Sequence, residues 1–155
     1  MNTISYRSVE QRDEEFLYEL YKRSRAEEFV PAGLSEEQFD FLMKMQYRAR
    51  KASYEGNNPG ARHDIVMVDG ADAGQIWVSR VNGDIGVIDI SISAAFQNQG
   101  IGTAVMKELI AEAASAGAAV RCSVATNNPG SLRFHERLGF RVTGGDEAYY
   151  RLEHP

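Results

Sequence analysis

Gln97-Asn98-Gln99-Gly100-Ile101-Gly102 is the stretch on which the reading of this chain turns. Before it, Ile85 to Ser93 reads as a strand. After it, Gly100 to Gly117 carries apolar residues at Ile101, Val105, Leu109, Ile110 and Ala113, the spacing of an amphipathic helix, and Gly117 stops it. Glycines at the start of a helix let the backbone take unusual torsions and approach a ligand closely. The first amides of a helix have no partner within it and lie at the positive end of its dipole, so they attract phosphate oxygens. A diphosphate suits this geometry, although a Gly-x-Gly pair also serves helix starts that merely pack. Val105 stands in the region where a dinucleotide fold would place its third glycine, and the preceding strands read as hairpins, which disfavours a Rossmann fold. No Gly-Lys-Ser/Thr follows, so the Walker pattern fails as well.

Upstream of the loop strand the hydrophobic period is two. Ile65 to Val68 and Gly74 to Val81 are strands joined by a turn at Asp69-Gly70 with Ala71-Asp72. Asn82-Gly83-Asp84 makes the next turn, into the loop strand. Nearer the N-terminus the period is helical. Asp13 to Phe29 is apolar at Phe16, Leu17, Leu20, Tyr21 and Phe29, and Pro31 and Gly33 end it. Ser35 with Gln38 is a capping-box start for a second helix running toward Tyr54, broken by Gly56-Asn57-Asn58-Pro59-Gly60. Residues 3–9 alternate as a short strand. Downstream, residues 118–125 are a strand, Pro129 to Leu138 a helix, and Phe140 to Leu152 two strands around Gly144-Gly145. There are no repeats or long linkers. The expectation is one α/β (α+β) domain over residues 1–155, a mixed, mostly antiparallel sheet flanked by helices on one core.

The 155 residues are 43% hydrophobic and 25% charged, with a net charge of −5. No basic surplus is present to neutralise phosphates, which argues against a nucleic-acid partner. Cys122 is the single cysteine, so no internal disulfide and no thiolate metal cluster can form. Its apolar surroundings, Ala118 to Val120, suggest a buried, inert thiol. Met1 to Ser8 has no hydrophobic signal core, and no run approaches the roughly 20 apolar residues a membrane span needs. A cytoplasmic protein without membrane or metal is expected.

A second motif gives the loop its meaning. Asn128-Pro129-Gly130-Ser131-Leu132-Arg133-Phe134-His135-Glu136-Arg137-Leu138-Gly139-Phe140 resembles the stretch Asn-x-x-Ala-x-x-Leu-Tyr-x-x-x-Gly-Phe of GNAT acetyltransferases. Together with the strand, loop and helix before it, the resemblance covers residues 62–152. It implies an acyl-CoA-binding core over that range, with residues 1–60 as the variable helical acceptor side. It also implies acetyl-CoA as cosubstrate and a small-molecule or peptide amine as acceptor, and leaves a homodimer open. The backbone of Ile90, Ser91 and Ile92 would hold the pantetheine arm, with the Ile92 amide polarising the thioester carbonyl. The main chain of Asn98, Gln99, Gly100, Ile101, Gly102 and Thr103 would wrap the pyrophosphate. Asn128 would contact the arm while capping its helix, and Ser131 takes the small position after it. The sheet would part between residues 85–93 and 118–125 to admit the thioester.

The resemblance implies transfer of the acetyl group by direct attack of an amine, without an acyl-enzyme. His135 stands where the family most often has a tyrosine that protonates the leaving thiolate, whose free pKa is about 8.5. Histidine can give or take that proton, or simply fill space beside Phe134 and Leu138. The positions at which relatives carry a basic glutamate hold Ser123 and Gly86 here. Asp89, an unusual charge in the apolar run Val87 to Ile90, is the substitute base, with a salt-bridged or solvent-facing role as the alternative. Tyr21, Arg25 and Glu28 share one side of the first helix by three- and four-residue spacing and are candidates to line the acceptor pocket. Trp77 and Tyr47 read as core or pocket wall. The competing reading is a catalytically silent acyl-CoA-binding module that keeps the loop and has lost acid and base.

Overall fold

The structure is a computed structural model that describes residues 2–29 and 33–155, without the side chains of residues 27–29. Pro31, expected to end the first helix, lies outside the described residues. The tight turns form where their sequences favour them. Asp69-Gly70 and Asn82-Gly83 have φ of 50° and 82°, and of 54° and 84°. Positive φ at both central residues gives a backbone twist that matches paired antiparallel strands. These turns join β2 (Arg62–Val68) to β3 (Ala71–Val81), and β3 to β4 (Asp84–Ile92). With β1 (Ile4–Ser8), β5 (Val120–Ala125), β6 (Arg141–Gly145) and β7 (Tyr149–His154) they build a seven-stranded sheet in the order β1-β2-β3-β4-β5-β7-β6. Every neighbouring pair is antiparallel except β4 and β5.

One face of the sheet is the main core. Val66, Ile76, Val78, Ile85 and Val87 pack on α3 (Ile101–Ser115), which contributes Val105, Met106 and Leu109. The hydrophobic effect drives this burial, and a Met106 side chain wholly removed from water contributes roughly 2–3 kcal/mol. Phe140, behind the short helix α4 (Pro129–Arg137), closes the same cluster. The opposite face meets α1 (Glu14–Phe29) and α2 (Glu36–Asn57). There Tyr54 meets Trp77 with ring centroids 5.9 Å apart. The two helices form a smaller cluster of Tyr18, Tyr21 and Met43, flanked by Phe39, Leu42 and Tyr47. At the start of α2 the expected capping box is present: Ser35 Oγ accepts from the Gln38 amide at 3.1 Å, and Gln38 Oε1 accepts from the Ser35 amide at 2.9 Å.

β4 contains one irregularity that matters for the site. Trp77 pairs with Asp89, whereas Val78 pairs with Val87, so Ile88 is an extra residue on β4, a β-bulge. Val87 and Ile90 therefore both belong to the α3 side, and Asp89 turns toward α2.

Candidate active site

Strands β4 and β5 pair through only Ile85–Val120, Gly86–Arg121 and Val87–Cys122. β4 then runs on to Ile92 and β5 to Ala125 without further pairing, so the sheet parts between them. Hydrogen-bond direction along β4 shows what the gap presents. At its start, the Ile85 amide donates toward β5, to the Ala119 carbonyl at 3.0 Å. Just past its end, the Ser93 amide donates the other way, to the Ala73 carbonyl of β3 at 2.8 Å. The bulge at Ile88 reverses the parity. Ile90 and Ile92 consequently aim their N–H and C=O groups into the gap, where backbone groups need partners. The Ile92 carbonyl has one in Gln97 Nε2, which donates to it at 2.9 Å.

Beyond Ser93 a 3-10 turn (Ala94–Phe96) leads into the exposed loop. Asn98 and Gly100 both adopt left-handed torsions, φ 62° and 77°. Gly100 is the N-cap of α3 and no side chain bonds that end, so the Ile101, Gly102 and Thr103 amides lack intrahelical acceptors. At Gly74 the constraint is proximity: a Cβ there would lie 2.2 Å from the Ser91 carbonyl oxygen. This lets β3 run tight against the segment of β4 that borders the gap. The chain thus offers backbone donors from Ile90 to Thr103, first along a strand edge and then at a helix start. That arrangement fits an extended ligand with an amide-bearing arm and a diphosphate.

On the α1–α2 side the gap opens into a cleft of about 1400 Å³. Its floor is a chain of polar groups. Gln75, only 5% exposed, donates from Nε2 to Asp89 Oδ2 (2.7 Å) and Ser91 Oγ (2.6 Å). Its Oε1 lies 2.9 Å from His63 Nε2 and can only accept, which puts a proton on that nitrogen. His63 stacks on Trp77 at 4.0 Å, and its burial lowers its pKa, favouring the neutral ring. Arg50 reaches over from α2 and meets Asp89 Oδ1 at 2.8 Å. It also donates through Nε to the Tyr54 hydroxyl at 2.7 Å, between the Tyr21 and Tyr54 rings. Burial opposes the charge on Arg50, but Asp89 and the two tyrosines outweigh it and its pKa is raised. Burial, reinforced by Asp89, raises the Tyr54 pKa. Burial also pushes the Cys122 thiol up to about 12, as expected of an inert thiol.

Of the residues singled out from sequence, Asp89, Tyr21, Arg25, Asn128 and Ser131 line the cleft, as do Ile90 and Ser91. Asn128 caps α4 by accepting from the Ser131 amide at 3.1 Å. Asp89 is ion-paired rather than free in solvent. The Glu28 side chain lies outside the described residues. The structure does not bring His135 to the cleft. The residue is 5% exposed, its ring held edge-on between Phe134 and Phe140 with centroids 5.1 and 5.3 Å away. Its Nδ1 lies 2.8 Å from the Ser131 carbonyl, so that nitrogen carries the proton. Burial lowers its pKa, and the neutral ring then has no proton on Nε2 to donate. The two rings and the Ser131 carbonyl account for this placement of the ring. Sequence reasoning missed Arg50, Gln75 and His63. The signals were there: Arg50 sits three and four residues from Tyr47 and Tyr54, and Gln75 interrupts an apolar strand. Among the described residues no cluster of His, Cys, Asp or Glu is placed to hold a metal ion, and no helix is long and apolar enough to cross a membrane.

The comparisons with known proteins agree with this geometry. Solved structures with the same fold include PaiA N-acetyltransferase from Thermoplasma acidophilum in complex with coenzyme A, at TM-score 0.70 and 18% identity, covering 97% of this chain and 98% of that one. The ribosomal-protein-S18-alanine N-acetyltransferase of Escherichia coli matches at TM-score 0.63 and 22% identity, over 100% and 94% of the two chains. Arabidopsis thaliana Naa50 in complex with the bisubstrate analogue CoA-Ac-MVNAL matches at 0.61 and 12%, over 98% of each chain. A search of curated proteins found no match. The family model for the acetyltransferase (GNAT) family matches residues 14–140, from the first helix to the end of the second motif, and the chain belongs to that family.

Proposed function

We propose that this protein is an N-acetyltransferase that passes the acetyl group of acetyl-CoA directly to a primary amine held in the cleft. The observation that carries the reading is the reversed edge of β4, which turns Ile90 and Ile92 into the gap one residue from Asp89 in the cleft. When bound, acetyl-CoA supplies a thioester carbonyl open to attack and a thiolate that can leave. In this reading Ile90 and Ile92 offer their amides to the pantetheine arm and to the carbonyl oxygen as negative charge develops on it. Asn98 to Thr103 hold the pyrophosphate with main-chain amides at the α3 start, and Asn128 and Ser131 border the arm from the β5 side. Asp89 binds the acceptor ammonium, and Gln75 and Arg50 fix both of its oxygens in place. The N–C bond forms and the C–S bond breaks. The ammonium loses one proton by way of Asp89 to cleft water before attack and a second to water as the amide forms, and the departing thiolate takes its proton from water, with no part for His135. Tyr21 and Arg25 form the acceptor wall. The cytoplasm is the expected compartment.

The test is an acetyl-CoA-dependent thiol-release assay across a panel of amines, with Asp89→Asn and Asp89→Ala beside the wild type. Turnover that falls sharply in both variants, with the KM for acetyl-CoA unchanged, is the expected result. Thermal protection by coenzyme A with no turnover on any amine would instead support a silent binding module.

A further inference from the structure

We propose that the acceptor carries a carboxylate beside its amine, an α-amino acid being the simplest such molecule, and that Arg50 and Asp89 receive its two charges side by side. This rests on the acetyl-transfer reading above and names the substrate class of the same site. Arg50 is anchored three ways, by Asp89 through Nη2, by the Tyr54 hydroxyl through Nε, and by the flanking rings of Tyr21 and Tyr54 at 5.2 and 5.1 Å. Its Nη1 donates to none of the described residues. No buried side-chain nitrogen or oxygen among them is left without a partner, so Nη1 is a corner of the guanidinium that reaches solvent, and Arg50 itself lines the cleft. Asp89 is anchored as firmly, one oxygen on Arg50 and the other on Gln75. The two side chains retain 32% and 25% of their exposure. What faces the cleft is therefore a fixed cation and a fixed anion in contact.

A fixed ion pair is matched by a ligand with the opposite pair at the same spacing. An ammonium and a carboxylate on one carbon meet that condition, the ammonium against Asp89 and the carboxylate against the free Nη1 corner of the guanidinium. The direction also suits the chemistry. Asp89 immediately precedes Ile90, whose amide faces the gap, so an ammonium seated on Asp89 stands at the entrance through which the thioester would be reached. The other charges on this side point the same way. Arg25 and Lys51 line the cleft with Arg50 and Asp89, whereas the other lining carboxylates, Asp146 and Glu153, come from the β5, β6 and β7 side together with Arg121 and Arg151. Lys51 is paired with Glu14, and Arg25 donates to the Tyr21 hydroxyl. A polyamine or an aminoglycoside seated on Asp89 would bring further ammonium groups against these neighbouring cations.

The experiment compares kcat/KM at saturating acetyl-CoA for a set of α-amino acids, their carboxamides and their decarboxylated amines, with spermidine as a polyamine control. The amino acids should exceed the matching amides and amines by roughly tenfold to hundredfold, the worth of a charge-assisted contact. Arg50→Met should collapse that ratio toward one, and Arg50→Lys should restore part of it. Equal turnover of acid, amide and amine by the wild type would overturn the inference, as would a preference for spermidine. So would an Arg50→Met variant that weakens all three acceptors alike, because Arg50 would then act only as support for Asp89. Should Arg50→Met fail to fold, the wild-type panel and Arg50→Lys decide the matter. Absence of turnover on every amine, with coenzyme A still protecting the protein thermally, is a different signature: it defeats the acetyl-transfer reading, and this inference with it.

Discussion

Replacing Gly74 with alanine puts a methyl group where the structure has no room. The new Cβ would lie 2.2 Å from the Ser91 carbonyl oxygen, with the Ile92 Cδ1 at 3.0 Å and the Ile92 Cα at 3.1 Å. Two of these three atoms are backbone, so no rotamer change relieves the clash. Opening the Ser91 contact to 3.0 Å means moving β3 and β4 apart by about 0.8 Å. The nearby bond from the Ser93 amide to the Ala73 carbonyl, now 2.8 Å, would then stretch past useful length. Overpacking of this kind costs about 1–3 kcal/mol and the lost bond about 1 kcal/mol more. For a domain of this size, a loss of about 2–4 kcal/mol lowers Tm by roughly 5–15 °C. The same shift displaces Ile92 at the gap, so the KM for acetyl-CoA should rise. Gly100→Ala is the control. A methyl group at position 100 would meet nothing within 4 Å, and only the left-handed torsion of 77° is penalised, at about 1–2 kcal/mol. Thermal unfolding of both variants with acetyl-CoA titration separates the two effects. A Gly74→Ala protein melting within about 2 °C of wild type, or less destabilised than Gly100→Ala, would refute the close-approach reasoning.

Further predictions address the cleft and the fold. Gln75→Leu removes the partner of His63, Asp89 and Ser91 together; stability should fall by about 1–3 kcal/mol in urea melts, with kcat falling more than the KM for acetyl-CoA rises. His135→Phe should preserve kcat and its pH profile while losing the bond to the Ser131 carbonyl, at about 1 kcal/mol of stability; a lost basic or acidic limb in the profile would return His135 to the mechanism. The Arg7 guanidinium holds the Asp13 carboxyl down at about 2, with help from the Glu10 amide and against the effect of burial. Because the folded pKa is depressed, the stabilisation is complete above the ordinary carboxylate value near 4 and is lost as pH falls toward 2. Urea melts from pH 7 to pH 2 should therefore show a steeper acid loss for wild type than for Asp13→Asn, and parallel curves would contradict it.

Much of the fold was legible because local chemistry and tertiary demand agree. Ser35 with Gln38, Asp69-Gly70 and Asn82-Gly83 each specify their conformation within a few residues, and the structure has them there. The loop from Gln97 to Gly102 was legible for the same reason, since an uncapped helix start is a local property. The strand order was not: β7 lies between β5 and β6, and nothing within residues 140–152 chooses that neighbour. The bulge at Ile88 was hidden too, because Val87-Ile88-Asp89-Ile90 gives no composition cue for an extra residue. Plain alternation put Ile88 and Ile90 together opposite Asp89, and only pairing with β3 revealed the change of phase. Arg50 and Gln75 escaped because each reads as ordinary in its own element. Their meaning comes from Asp89, 39 and 14 positions away in the chain. His135 shows the opposite case, a position whose motif points to chemistry and whose ring the structure packs between Phe134 and Phe140.

The extra residue on β4 divides that strand into two reading frames. Up to Val87 the odd-numbered amides serve the neighbouring strand and the fold; after Ile88 the even-numbered ones face open space. Keeping Ile88 but pairing it with Trp77 in an unbroken ladder would put the two halves in one frame. The amides of Ile90 and Ile92 would then turn toward β3, and either Asp89 would be driven under α3 or the rest of the strand would have to twist to prevent it. One residue, with no reactive group of its own, thus separates the half of the strand that builds the protein from the half that is available for chemistry.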